Sequence, residues 1–207
     1  MNLANKLTML RVILVPIFIF FMAFNSFYSN IAALIVFTAA AITDFFDGRI
    51  ARKQNTVTTF GIFLDPLADK LLVTSAFVSF VAVPSLNIPA WMAIFIISRE
   101  FLITGLRSLA ASQNIIIPAS KSGKFKTTSQ ITAIITILVI MIINSTLVKF
   151  FAITRYDLIY MQSWKGSLGW ILINLPFWLM FIVTVLTIYS GVVYIINHKN
   201  IFTHNKK

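Results

Sequence analysis

Six stretches of mostly apolar residues divide this chain: 7–27, 31–50, 60–83, 89–111, 127–147 and 168–196. About 20 such residues in an α-helix cross a hydrocarbon layer of roughly 30 Å. A backbone in lipid must satisfy its own hydrogen bonds, so apolar runs of this length can cross only as helices. Apolar residues make up 58% of the chain and charged residues 11%, against about 25% charged in a soluble domain. The expected fold is therefore an all-α membrane protein, a six-transmembrane-helix bundle forming one integral membrane domain over residues 1–207. The last stretch contains Pro176, which predicts a kink or strong tilt there.

The basic residues give an orientation. Lys6 and Arg11, then Arg49, Arg52 and Lys53, then Lys121, Lys124 and Lys126, then Lys199, Lys206 and Lys207 all fall at one end of the predicted bundle. The turns at 26–30 and 84–87 carry no Lys or Arg. Only Lys149, Arg155 and Lys165 lie at the opposite end. Positive residues stay inside, so both termini are expected on the cytoplasmic side of the inner (cytoplasmic) membrane. Tyr28, Trp91, Tyr160, Trp164 and Trp170 then form an aromatic belt at the outer interface. The net charge of +11 is read as helix flanks facing anionic lipid. No nucleic-acid partner is expected, because no basic stripe is interleaved with exposed aromatics. The absence of cysteine excludes disulfides and thiolate metal sites. The first apolar run follows basic residues as a signal peptide does. No small-residue cleavage site follows it cleanly, so it is expected to stay as a membrane helix.

Four of the six acidic residues, Asp44, Asp47, Asp65 and Asp69, interrupt these apolar runs. Each costs roughly 2.5–3.5 kcal/mol near hydrocarbon. Asp44 and Asp47 are three apart and Asp65 and Asp69 four apart, so each pair shares a helical face. The short polar linker 53–59 puts the pairs at similar depth. Converging carboxylates repel unless cations intervene. All-oxygen ligands favour Mg²⁺ or Mn²⁺ over zinc, and two such ions about 4 Å apart clamp a phosphoryl group during displacement. Gly48 and Gly61 allow close approach to the backbone, Ala51 is small, and Arg52 can reach a phosphate. The alternative is structural pairing with Arg49, Arg52 and Lys70; two matched acid pairs, each beside a glycine, favour the metal reading.

A second group, Arg99, Glu100 and Arg107, lies inside the fourth run. Glu100 and Arg107 share a face, and Arg99 is offset from Arg107 by about 80°. Lys124 and Lys126 open the fifth run, where a helix N-terminus with basic side chains suits phosphate. Lys121 reads as a flank charge. A structural pair between Glu100 and one arginine remains open. The last third reads as hydrophobic helix without a motif. His198 and His204 have no second ligand at useful spacing, Trp178 reads as packing, and Asp157 as a surface charge beside Arg155.

Read together, Asp44, Asp47, Gly48, Ala51, Arg52, Gly61, Asp65 and Asp69 spell D-x-x-D-G-x-x-A-R followed by G-x-x-x-D-x-x-x-D. This resembles the signature of the CDP-alcohol phosphatidyltransferases. The resemblance implies a six-helix membrane fold, a homodimer, and a site opening to the cytoplasm. CDP-diacylglycerol would be the donor and CMP the leaving group. Asp44, Asp47 and Asp65 would bind Mg²⁺ or Mn²⁺ (two ions), with Asp69 sharing that task and acting as general base. Gly48, Ala51, Arg52 and Gly61 would border the CDP-lipid. Asn5, Thr8 and Arg11 are candidates for its nucleotide end, with helix capping an equal alternative for Asn5 and Thr8.

Within the family, the first two thirds are most similar to the branch whose acceptor is sn-glycerol 3-phosphate. The residues concerned are Asn5 to Thr8 with Arg11, Phe60-Gly61, Leu64 to Lys70, Arg99-Glu100-Phe101, Leu106-Arg107, Gly123-Lys124 and Lys126-Thr127. Arg99, Arg107, Lys124 and Lys126 would then hold the acceptor phosphate. Two alternatives stay open: another acceptor (phosphatidylglycerol, an inositol phosphate or serine), and an ion-coupled transporter. Transport sites lie near the midplane on broken or repeated helices; these acids gather at one interface and no repeat is evident.

Overall fold

The structure is a computed structural model. It describes the backbone of residues 3–54, 59–112, 121–160 and 164–197, and there the side chains outside 3–7, 44–54, 59–67, 69, 112, 121–124 and 156. Among the described residues all regular structure is helical: α1 (Leu3–Phe24), α2 (Phe27–Gln54), α3 (Thr59–Ala82), a 3-10 turn (Pro84–Leu86), α4 (Ala90–Ser112), α5 (Lys121–Phe151), α6 (Arg155–Tyr160) and α7 (Trp164–Asn197). Six long helices thus lie where six apolar runs were read. Two of them contain stretches long and apolar enough to cross a bilayer outright, Phe125–Phe151 and Trp164–Asn197. Shorter apolar stretches occupy Thr8–Phe24, Phe27–Thr43 and Lys70–Ala82. Pro176 does not end α7, which continues as one helix of 34 residues, about 51 Å at the standard rise. The short helix α6 was not expected from sequence.

The long helices close into a ring in the order α1–α2–α5–α7–α4–α3, with α3 also touching α5 across the middle. One apolar core runs through the ring. Phe18 of α1, Phe37 of α2, Phe77 and Phe80 of α3, Met92 and Ile96 of α4, Ile134, Ile137 and Leu138 of α5 and Met180 of α7 are all fully buried. The large rings meet small partners: Ala33, Ala40 and Ala76 are fully buried too. Small residues let helix axes approach where lipid gives no hydrophobic incentive to associate. The Phe18 and Phe37 rings lie 5.9 Å apart between α1 and α2.

The connections set the direction of each helix. Asn25 and Asn87 take left-handed backbone conformations at two tight turns, a region asparagine tolerates better than most residues. α1 and α3 run parallel, α2 and α4 return, and α5 and α7 again oppose each other. One end of the ring therefore gathers the C-terminal turns of α2, α4 and α7 and the N-terminal turns of α1, α3 and α5. The other end holds Tyr28, Trp91, Tyr160, Trp164 and Trp170, all exposed, as the belt reading requires.

At that aromatic end, α6 is held by a reciprocal cap. The Thr154 N–H and hydroxyl both donate to Asp157 Oδ2, at 2.7 and 2.6 Å, and the Asp157 N–H returns to Thr154 Oγ1 at 3.2 Å. Asp157 is thus a helix cap, more than the plain surface charge expected. The Thr154 hydroxyl and N–H hold its carboxyl below the usual aspartate range. α6 then packs on α7 at Gly169, where a Cβ would lie 2.9 Å from both the Arg155 carbonyl oxygen and Leu158 Cβ. Backbone cannot yield there. Gly169→Ala should therefore cost about 1–3 kcal/mol and lower the melting temperature in detergent. An unchanged melting temperature would show that α6 is not packed on α7 in this way.

Candidate active site

The charged end of the ring brings α3, α4, α5 and α7 together around one carboxylate. Glu100 Oε1 accepts from Lys126 Nζ in a direct ion pair across α4 and α5. Gln130 Nε2, one turn further along α5, donates to the same oxygen at 3.3 Å. Arg99 Nη1 approaches it to 3.6 Å. Gln130 also reaches Thr187 Oγ1 on α7, at 3.5 Å. Glu100, Arg99 and Lys126 are shielded from solvent, with side-chain exposures of 15%, 13% and 7%. Charges so placed are stable only with close partners, and here the partners come from different helices.

Arg99 runs along α7. Its Nη2 donates to Ser190 Oγ at 2.9 Å, and a Cβ on Gly191 would lie 3.0 Å from Arg99 Cγ. The glycine leaves a channel for the arginine stem. Two turns on along α4, the Arg107 guanidinium stands 5.6 Å from the centre of the Tyr194 ring of α7, within cation–π range. Thr184, Thr187, Ser190, Gly191 and Tyr194 are all buried. They form a polar stripe at helical spacing in an otherwise apolar helix.

A small cavity of about 30 Å³ opens beside Glu100, lined among others by Lys70, Thr74, Lys126, Thr127 and Gln130. Among the described residues, Lys70, Arg99 and Lys126 are thus three cations near the Glu100 carboxylate at the edge of an apolar core. Such a place suits an anion.

Thr8 and Arg11 of α1 are buried, at 1% and 2% exposure, and both are engaged in interactions. They lie one turn apart on a helix that packs against both α2 and α3. Asp44, Asp47, Gly48, Ala51 and Arg52 occupy the last turns of α2, and Gly61, Asp65 and Asp69 the first turns of α3. Their side chains, like those of Asn5 and Lys124, lie outside the described residues. Helix register nonetheless keeps each acid pair on one face, and Asp69 stands one turn before Val73, which lines the cavity beside Glu100. Both helices rest on α1 and touch each other only sparsely. Among the described residues no group of three or more metal-ligating side chains occurs.

The family profile described as CDP-alcohol phosphatidyltransferase matches residues 1–203. The chain belongs to the CDP-alcohol phosphatidyltransferase family. Among its curated relatives is a Bacillus subtilis (strain 168) protein named CDP-diacylglycerol–glycerol-3-phosphate 3-phosphatidyltransferase. It is 44% identical, over 64% of this chain and 74% of that protein. An Escherichia coli (strain K12) protein of the same name is 39% identical, over 64% of this chain and 74% of that protein. A Mycobacterium tuberculosis (strain H37Rv) protein named probable phosphatidylglycerophosphate synthase is 41% identical, over 64% of each.

For this phosphatidyltransferase the basic residues divide into two kinds. Arg99 and Lys126, expected as phosphate ligands, converge on Glu100, while Arg107 sits further out against α7. The open question of a structural pair is thereby answered: Glu100 binds Lys126 and Arg99, and not Arg107. Lys70, Gln130, Thr187, Ser190, Gly191 and Tyr194 complete the arrangement and were not singled out as site residues from sequence. Glu100→Gln should strand Lys126 and Arg99 and cost about 3 kcal/mol. Adding Lys126→Met to that variant should restore most of the loss. Thermal unfolding of the single and double variants checks this; equal melting of Glu100→Gln and the parent protein would contradict it.

Proposed function

We propose that this chain transfers the phosphatidyl group of CDP-diacylglycerol to sn-glycerol 3-phosphate, forming phosphatidylglycerophosphate and releasing CMP. The relatives' names support the donor and the acceptor. The observation that carries the reading is the cation-rich cavity between α3, α4 and α5, next in register to Asp69. An acceptor that brings its own phosphate suits that charge; inositol and serine without a phosphate do not.

The working unit in this reading is one membrane domain over 1–207 with six crossing helices, both termini and the site on the cytoplasmic side, acting as a homodimer. Six long helices, the basic residues at the charged end and the aromatic belt at the other support it.

The oxygen donors on α2 and α3 fit a hard divalent cation. Asp44, Asp47 and Asp65, with Asp69, would hold Mg²⁺ or Mn²⁺, which when bound supplies neutralisation of charge on the donor pyrophosphate. Gly48, Ala51, Arg52 and Gly61 border the donor, with Asn5 and Thr8 at its nucleotide end. Lys126, Arg99, Lys124 and Arg107 hold the acceptor phosphate, with Lys70 beside them. Glu100 keeps Lys126 and Arg99 in place until the acceptor arrives, and the phosphate then takes over part of their charge. Asp69 accepts the proton from the acceptor 1-hydroxyl. That oxygen attacks the lipid-side phosphorus, and the bond from that phosphorus to the CMP oxygen breaks. Holding the acceptor in this pose is worth several kcal/mol of the barrier.

CMP release by the purified protein from CDP-diacylglycerol should require sn-glycerol 3-phosphate and should fail with inositol phosphate or serine in its place. Asp69→Asn should lower turnover by about 10²–10⁴-fold, as expected for loss of a general base, while Lys126→Ala mainly raises KM for the acceptor. Turnover of Asp69→Asn close to that of the parent protein would remove the base assignment. Release that does not depend on the acceptor would remove the reaction.

A further inference from the structure

We propose that the aromatic end of the bundle carries a second site, one that binds the phosphate of an anionic phospholipid from the outer leaflet. The inference rests on the reading that this end faces the outer side of the membrane. The site is a cavity of about 490 Å³, far from the charged end, walled by the starts of α2 and α6, the end of α5 and the turn after α3. Its lining includes Lys149 and Arg155 and no acidic residue. In a chain with 11% charged residues, two cations at one cavity are a concentrated positive charge. They are also two of the three exceptions to the inside placement of basic residues, and an anionic headgroup accounts for these two.

Each cation is held in a specific place. Lys149 Nζ lies 3.5 Å from the centre of the Tyr28 ring and 5.0 Å from that of Phe27. A π-face steadies an ammonium without neutralising it, so the charge remains available to an anion. Arg155, only 6% exposed, donates to the Ser85 carbonyl oxygen and ties the wall of the cavity to the turn after α3. Asp157, the acid nearest in sequence, has its carboxylate turned to the Thr154 N–H and hydroxyl.

The remaining lining matches a phospholipid rather than a bare ion. Ser85 supplies a hydroxyl and Asn144 an amide, and Phe27, Met141 and Val148 an apolar wall. Asn144 Oδ1 is buried with no hydrogen-bond partner, so it can accept from a ligand hydroxyl such as those of a glycerol headgroup. The exposed rings of Tyr28, Phe150, Phe151 and Trp164 put this cavity at headgroup depth, where aromatic side chains gather. A net-anionic headgroup such as that of phosphatidylglycerol fits the charge; the quaternary ammonium of phosphatidylcholine does not.

The test is native mass spectrometry of the full chain released from nanodiscs containing equal amounts of phosphatidylglycerol and phosphatidylcholine. The parent protein should retain one more phosphatidylglycerol than Lys149→Gln, with the bound fraction falling about tenfold in the variant, the scale of one lost charge-assisted contact. Added inorganic phosphate should leave the retained lipid in place. Equal retention by the two proteins, or equal retention of the two lipids, would overturn the proposal. So would displacement by inorganic phosphate, which would make this a site for the free ion. Asn144→Leu is a second variant, expected to weaken retention without removing the cation.

Lys149 is exposed and distant from the charged end, so CMP release by Lys149→Gln should match the parent protein. A lost lipid with intact CMP release separates this site from the proposed reaction. Because the chain contains no cysteine, Tyr160→Cys can be labelled cleanly by an impermeant maleimide from outside the cell. Absence of that label would overturn the outer-leaflet assignment by itself.

Discussion

Glu100 is the anion around which the charged end of this bundle is assembled. In lipid, apolar surface gives helices little reason to prefer one neighbour over another. A buried ion pair does: Lys126 of α5 has a partner only if α4 is beside it and in one register. Gln130 carries that constraint to Thr187, and Arg99 carries it to Ser190. Three helices from distant parts of the chain are thus locked by a few polar contacts, while the phenylalanine and isoleucine core fills the space between them. Among the described residues the same contacts gather three cations, Lys70, Arg99 and Lys126, about one carboxylate.

Much of this could be read from the chain before any coordinates. The apolar runs are long and sharply bounded, which is why the six long helices fall where expected. The reading of the two acid pairs rests on helix periodicity, a local property, and their side chains lie outside the described residues. What local periodicity cannot show is which helix lies beside which. Arg99 and Arg107 stand out as charges in an apolar run, but the choice of Lys126 over Arg107 as the partner of Glu100 depends on the closing of the ring. The stripe Thr184, Thr187, Ser190 and Tyr194 was legible in principle at spacings of three and four. It was passed over because its residues are weakly polar and the mean hydropathy of α7 hides them. Asp157 was underrated for another reason: the T-x-x-D cap at Thr154 is a short-range signal inside what looked like a loop.

The two ends of the ring solve opposite problems. At the charged end, α4, α5 and α7 are joined through Glu100, Lys126, Arg99 and Gln130. At the aromatic end, caps and tight turns do the holding: Asn25, Asn87, the Thr154–Asp157 cap and the close seat of α6 on Gly169.

The proposed reaction depends on Asp44, Asp47, Asp65 and Asp69 holding divalent metal. The direct measurement is Mn²⁺ binding to the purified protein in nanodiscs, followed by electron paramagnetic resonance as the ion is titrated. The account predicts that the parent protein takes up Mn²⁺ in the presence of CDP-diacylglycerol, and that Asp44→Asn and Asp65→Asn each weaken uptake by tenfold or more, about 1.4 kcal/mol or above. Variants that bind Mn²⁺ as tightly as the parent protein would contradict it.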